Sequence, residues 1–336
     1  MYTIWLFFVL LHPSCILRTV VADNLVGIGK ADVTGPVVEI PMMGYGKASQ
    51  EASGIHTRLF SRAFIFKNTE PANDTVAFVS VDIAMIGQLM KQKVLNKLSE
   101  TFGSNLFRHD NLVLSATHTH SGPSGYMQYL LFSVSSMGFV DESFQAIVNG
   151  IVRSIKRAHK NMLLSTISIA EGELDNTNIN RSPTSYLANP KEERMRYKYD
   201  TDHDFVQINI LDAVTKNARG VINWFAVHPT SLNNTNFLIS GDNKGVASLM
   251  MERYMNKGRT SQDIFIAAFA STNLGDTSPN TKAPFCMYSG ETCSNNRSTC
   301  GSDSGDWCVA PGPGKDMWDS TKVIGEKQQQ QFRLSK

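Results

Sequence analysis

Apolar residues fall in short, bounded runs along this chain, and the period of each run predicts its element. Thr75–Asp82 (TVAFVSVD) and Asn111–Thr117 (NLVLSAT) are rich in β-branched and apolar residues; Val206–Leu211 alternates apolar with polar; Gly220–Val227 and Ile264–Ala270 are almost continuously apolar. Runs of this length read as strands, the continuous ones as interior strands covered on both faces. Other stretches have helical period. Asp141 is placed as an N-cap, with Phe144, Ile147, Val148, Ile151, Val152 and Ile155 on one stripe and Lys156, Arg157 and Lys160 complementing the dipole at the far end. A helix over residues 88–102 uses Leu89, Val94, Leu95 and Leu98, and one after Asp242 places Val246, Leu249, Met250 and Tyr254 on its apolar face. Strands interleaved with helices predict an α/β fold, a mixed sheet core flanked by helices.

Composition narrows the class. The chain has 336 residues, 42% hydrophobic and 18% charged, enough apolar material for one large core or two smaller ones. Lys and Arg number 32 against 30 Asp and Glu, so no charge excess draws it to nucleic acid, which is not an expected partner. Ile4–Leu11 (IWLFFVLL) is far short of the ~20 apolar residues that cross a bilayer. It suits a secretory signal, with Val20-Val21-Ala22 before a cut ahead of Asp23. Residues 1–22 are therefore expected to be a signal peptide and 23–336 a secreted product. Cys15 leaves with the signal, and Cys286, Cys293, Cys300 and Cys308 remain in a Ser/Gly/Pro-rich stretch without CxxC pairs. An oxidising compartment favours two disulfides there, stapling a loop over 284–313 that has too few large apolar residues to order itself. Sequons at Asn73, Asn180, Asn233 and Asn296 are compatible with glycosylation.

Candidate chemistry sits just past the strands. His118-Thr119-His120 follows NLVLSAT, and in an extended segment residues i and i+2 share a face, so both imidazoles could converge on one ion or substrate. An isolated H-x-H is more often a hydrogen-bonded pair. His228-Pro229-Thr230 ends the run GVINWFAV, Ser278 lies in NLGDTSPN beyond IFIAAFA, and Arg181 lies in NINRSP beyond TISIAEG. Polar groups gathered beyond strand ends predict one shared cleft. Gly27-Ile28-Gly29-Lys30 lacks the spacing of a phosphate loop, and neither G-x-S-x-G nor H-E-x-x-H occurs.

The blocks GYGKASQEASGIHTRLFSRAFIF, NLVLSATHTHSGPSGY, NINRSPTSYLANP, FAVHPTSL and ASTNLGDTSPN resemble, in order and spacing, the neutral ceramidase family, from about Asn24 to the Cys-rich stretch. The resemblance implies zinc as cofactor with His118 and His228 as ligands, Ser278 as catalytic serine, and His120 and Arg181 as residues needed for turnover. It implies Cys286–Cys300 and Cys293–Cys308 pairing. The implied reaction is hydrolysis of the N-acyl bond of ceramide to a fatty acid and sphingosine, with a membrane surface or lipid micelles supplying substrate. Zinc would polarise the carbonyl or bring a water pKa towards ~7. Ser278 or that water would attack, Arg181 would anchor a headgroup or developing oxyanion, and His120 would carry protons. In the family a Glu and a Tyr far downstream complete the metal site, and an immunoglobulin-like domain follows. The chain is thus expected to be a partial catalytic domain that alone binds zinc weakly and turns over negligibly. Without a Ser/Thr-rich stalk after the signal, membrane anchoring is not expected. Two other readings are a secreted lipid-binding protein that keeps the cleft without catalysis, and a zinc hydrolase of another amide or ester.

Overall fold

The computed structural model describes residues 16–69, 74–260, 263–294, 299–301 and 305–334. The run Ile4–Leu11, Cys15 and the sequons at Asn73 and Asn296 lie outside the described residues. In chain order the elements begin with β1 (Ile16–Asp32), β2 (Val38–Met43), β3 (Glu51–Ile55), β4 (Phe60–Asn68), β5 (Thr75–Val81), α1 (Gln88–Phe102) and β6 (Leu112–Ala116). Next come β7 (Gly122–Pro123), α2 (Leu130–Ser135), α3 (Asp141–Lys160), β8 (Leu163–Glu173), β9 (Ile179–Asn180), α4 (Pro183–Ala188) and α5 (Lys191–Arg194). The last part holds β10 (Asp204–Asp212), β11 (Ala218–Phe225), β12 (Leu238–Ile239), α6 (Asp242–Met255) and β13 (Ile266–Ser271). It closes with β14 (Thr277–Ser278), β15 (Phe285–Cys286), β16 (Cys308–Val309) and α7 (Met317–Leu334).

Eight strands form one mixed sheet in the order β13-β11-β10-β8-β1-β4-β5-β6, antiparallel through the middle and parallel in the outermost pair at each end. The sheet curls until its two edges meet. Phe78 of β5 packs on Trp224 of β11 with ring centroids 5.2 Å apart, although four strands separate them in the sheet. The concave face encloses Val26, Ile28, Phe64, Ile210, Ile222, Ile266 and Ala268. On the convex face, α1 and α3 cover Ala63, Ile65, Ala77 and Val79, while α6 and α7 cover Val221, Phe225, Ala267 and Phe269. Alternate residues of one strand thus serve two different cores, which is why these strands read as continuous apolar runs. Close packing explains Gly27 and Gly29: a Cβ there would lie 2.1 Å from Ala158 O and 2.2 Å from Ser154 O of α3.

Two helix readings need correction. Asp141 is the first helical residue of α3, not its cap; Val140 holds that position, and Asp141 Oδ1 accepts from Gln145 Nε2 at 3.2 Å. The buried face of α6 carries Asp242, Asn243, Lys244, Ala247, Ser248, Met251 and Glu252, whereas Val246, Leu249 and Met250 are only half-buried and Tyr254 is 53% exposed. Apolar periodicity misplaced this face because its polar groups are paired: Arg62 bonds Glu252 at 2.9 Å and Asp82 at 2.8 Å, and Lys30 joins Glu252.

The disulfides Cys286–Cys300 and Cys293–Cys308 are formed as the resemblance implies. The glutamine run near the end belongs to α7, with Gln328 and Gln329 buried. The bond between Ala22 and Asp23 lies inside β1, between its two stretches of pairing with β8; pairing with β4 begins at Asn24.

Candidate active site

Beyond β6 the backbone still follows β5, with Thr117 N–H donating to Val81 O and His118 N–H to Ile83 O, both at 2.9 Å. His118 then turns to φ 70°, so the residue is not extended and the pleat does not aim the H-x-H pair. A non-glycine residue held at positive φ costs on the order of 1–3 kcal/mol. Here a 2.6 Å bond from His118 Nδ1 to Ala84 O fixes the ring. His228, just past β11, donates from Nδ1 to Leu274 O at 2.8 Å. A carbonyl only accepts, so in both rings Nδ1 carries a proton and Nε2 is the nitrogen left over for other partners.

His120 completes the cluster. Its Nε2 lies 3.2 Å from His118 Nε2, and the three ring centroids are 4.8 to 5.1 Å apart. One ligand atom from each of His118, His120 and His228 fits within 4.8 Å of the others. Tyr45 stands edge-on to His120 at 4.7 Å and donates its hydroxyl to Leu232 O at 2.7 Å. Gly44, at φ 128°, leaves the ring its space, since a Cβ there would sit 2.4 Å from His120 Cγ. Burial first, then the neighbouring imidazoles and Arg181, pushes His120 down to about 3. Burial likewise dominates at His228, pushed down to about 4 despite the opposing bond to Leu274 O. Both imidazoles are therefore neutral near pH 7, the form that ligates metal.

Ser278 and Arg181 share a second structure. β14 pairs antiparallel with β9, Ser278 opposite Ile179 and Thr277 opposite Asn180. Ser278 is 9% exposed and its Oγ accepts from Asn280 N–H at 3.2 Å, which leaves the hydroxyl proton uncommitted by that bond. Arg181 is exposed, anchored by N–H to Asp276 O at 2.7 Å and Nε to Gly275 O at 2.9 Å. The loop 274–278 therefore carries the carbonyl that orients His228, the carbonyls that hold Arg181, and Ser278 itself. An open cleft of about 390 Å³ lined by Ala84, Met85, Ile86, Leu114 and Leu274 opens beside His118. A larger cavity of about 830 Å³, with Lys30, Arg153, Arg157 and Arg219 on its walls, lies at the amino ends of β11 and β13, away from the histidines.

Sequence reasoning did not find Gly44, Tyr45, Ala84, Leu274 or the buried polar start of α6. Ala84 and Leu274 act through backbone carbonyls, which leave no trace in side-chain type. Ser240–Lys244 did offer a signal, an apolar-free stretch at a helix start.

Residues 24–334 match the family described as neutral/alkaline non-lysosomal ceramidase, N-terminal. The chain is 43% identical over 322 residues to the neutral ceramidase of Drosophila melanogaster, covering 96% of this chain and 45% of that protein. It is 44% identical over 307 residues to neutral ceramidase A of Dictyostelium discoideum, covering 90% of this chain and 42% of that one. A solved ceramidase complexed with C2 superposes with TM-score 0.78 at 36% identity, over 92% of this chain and 43% of that one. The neutral ceramidase crystal structure from Pseudomonas aeruginosa gives TM-score 0.77 at 35% identity, over 92% and 44% respectively. The chain spans less than half the length of each of these relatives.

Proposed function

Because the chain belongs to the neutral/alkaline non-lysosomal ceramidase family, we propose that it forms the amino-terminal part of a zinc-dependent amidase that hydrolyses the N-acyl bond of ceramide to sphingosine and a fatty acid. The observation that carries this reading is the pair of imidazoles, His118 and His228, whose Nδ1–H groups are spent on backbone carbonyls, leaving Nε2 of each to ligate within a cluster of ligand atoms lying within 4.8 Å of one another. A second partner on the far nitrogen is the usual arrangement of a metal-ligating histidine. Zinc bound there would supply Lewis-acid polarisation of the amide carbonyl. Attack by Ser278 Oγ would form an ester to the acyl carbon and break the C–N bond, and His120 would carry the serine proton to the leaving amine. Water would then hydrolyse the ester and release the fatty acid. Arg181 would face charge developing on the carbonyl oxygen.

The cleft beside His118 mixes apolar walls from Met85, Ile86, Leu114 and Leu274 with the hydroxyls of Ser115, Ser271 and Thr272, which suits a substrate with both a chain and a polar head. Leu130, Leu131, Val134 and Met137, each at least 70% exposed on and just after α2, support approach to a membrane or micelle surface. We also place the product outside the cell, since two disulfides suit an oxidising compartment. Among its sequons Asn233 is exposed, whereas Asn180 Nδ2 donates to Asp200 O at 2.9 Å. The test is fatty-acid release from labelled ceramide with zinc measured by elemental analysis, on residues 23–336 and on a form extended through the length of the relatives. Weak zinc binding and negligible release are expected from the short form. In the extended form Ser278→Ala should abolish turnover and keep zinc, and His118→Ala should lose both. An extended form that binds zinc yet releases no fatty acid would refute the proposal.

A further inference from the structure

Two loops carry the histidines, residues 117–121 and 228–232, and both are tied to one stretch, Ser240–Lys244, at the start of α6. Ser240 N–H donates to Ser121 O at 2.8 Å, and Ser240 O accepts from Thr119 Oγ1 at 2.7 Å. Asp242, at φ 51°, accepts from the N–H groups of Ser231 at 3.2 Å and Leu232 at 3.0 Å. Asn243 Nδ2 donates to His228 O at 3.1 Å and to Ser231 Oγ at 3.0 Å. Lys244 Nζ donates to Phe225 O at 2.9 Å and Ala270 O at 3.0 Å, at the ends of β11 and β13, with Gln328 Oε1 at 3.4 Å as third acceptor. Ser240, Asp242, Asn243 and Lys244 are all fully buried.

A helix that only had to pack would place apolar side chains here. Burying a lysine, an aspartate and an amide is unfavourable unless they are paired; here Lys244 Nζ, the Asp242 carboxylate and Asn243 Nδ2 are paired with the strands and loops that carry the histidines, while Asn243 Oδ1 has no partner among the described residues. We infer that Ser240–Lys244 is the positioning element of the centre, holding the His118–His120 loop in register with the His228 loop and so setting the separation of the imidazoles. Asn243 acts through His228, and Ser240 acts through Thr119 on the His118–His120 pair; neither needs to touch the reacting atoms. The inference rests on these imidazoles being the reactive centre, but its test reads their geometry without turnover, so an inactive chain and a failed inference give different results.

The experiment is long-range ¹H–¹⁵N spectroscopy of the imidazoles in chelator-treated protein. In the parent, His118 and His228 should each show a single Nδ1–H tautomer. Asn243→Ala should replace the His228 species by a mixture with the Nε2–H tautomer and leave His118 unchanged. Thr119→Val, of similar shape, should shift the His118 and His120 signals and leave His228 unchanged. Ser154→Ala controls for simple destabilisation, since it removes a buried 2.8 Å bond from α3 to Ser61 of β4, outside both loops, and should leave all three rings as they were. If Asn243→Ala does not fold, Asn243→Ser takes its place beside Thr119→Val. Unchanged rings in the two loop variants, or the same change in Ser154→Ala, would overturn the inference.

Discussion

His120 is held by shape as much as by bonding. Its buried Nδ1 has no hydrogen-bond partner among the described residues, Gly44 lies against its ring, and the left-handed backbone there disfavours any side chain. Gly44→Ala should therefore displace the imidazole, destabilising the fold by about 1–3 kcal/mol and lowering turnover of the extended form at least ~10-fold while zinc stays bound. Calorimetry and the fatty-acid assay on one preparation check this; unaltered turnover would show that the ring needs no such confinement. The same residues set a pH dependence. In the folded chain His120 and His228 titrate near 3 and 4, below the ordinary 6.5, so between those values the unfolded chain binds protons the folded one refuses. Their contribution to stability is thus fully present above about pH 6.5 and is lost as pH falls through about 4 and 3. Asp242, raised by burial to about 6, acts the opposite way and offsets part of the loss. Urea midpoints of metal-free protein should fall across this window, and His120→Gln should flatten the fall.

At the scale of elements, the stapled loop and the sheet are separate problems. Each disulfide closes a short segment, with a sequence separation of 14 for Cys286–Cys300 and 15 for Cys293–Cys308. Loops of that size gain at most ~3 kcal/mol from closure, and here the gain orders the loop between β15 and β16, not the core. Mild reduction should expose residues 286–308 to protease while the main thermal transition stays within a few degrees; a collapse of that transition would mean the loop supports the core. What the sequence disclosed follows the same division. β5, β6, β10, β11, β13, α1 and α3 were legible because one side of each is mainly apolar. The buried side of α6 was not, because Lys244, Glu252 and Asp242 are interior only by virtue of partners elsewhere in the chain. His118 and His228 were legible as residue types beyond strands. Their convergence was not, since it depends on a positive φ at His118 and on the carbonyls of Ala84 and Leu274.

The whole molecule is organised by the closure of one sheet. Ile222 sits 1% exposed in the enclosed core, and Ile222→Ala should cost ~2–5 kcal/mol in chemical denaturation, with less zinc retained by the extended form at equal protein. Zinc content unchanged in a destabilised variant would separate the centre from that core. Closure also joins the two edges directly, as Ser271 at the end of β13 donates to Thr117 O beyond β6 at 2.8 Å. The histidines face each other across this seam, with His118 and His120 on one side and His228 on the other. During synthesis the ribosome must therefore deliver Leu274 before His228 is oriented, long after His118 has emerged. Until the seam is zipped, His118 and His120 have no His228 opposite them. Under the proposed function, metal capture would then act as a proofreading step on the finished fold, favouring chains whose edges have met over those left ajar.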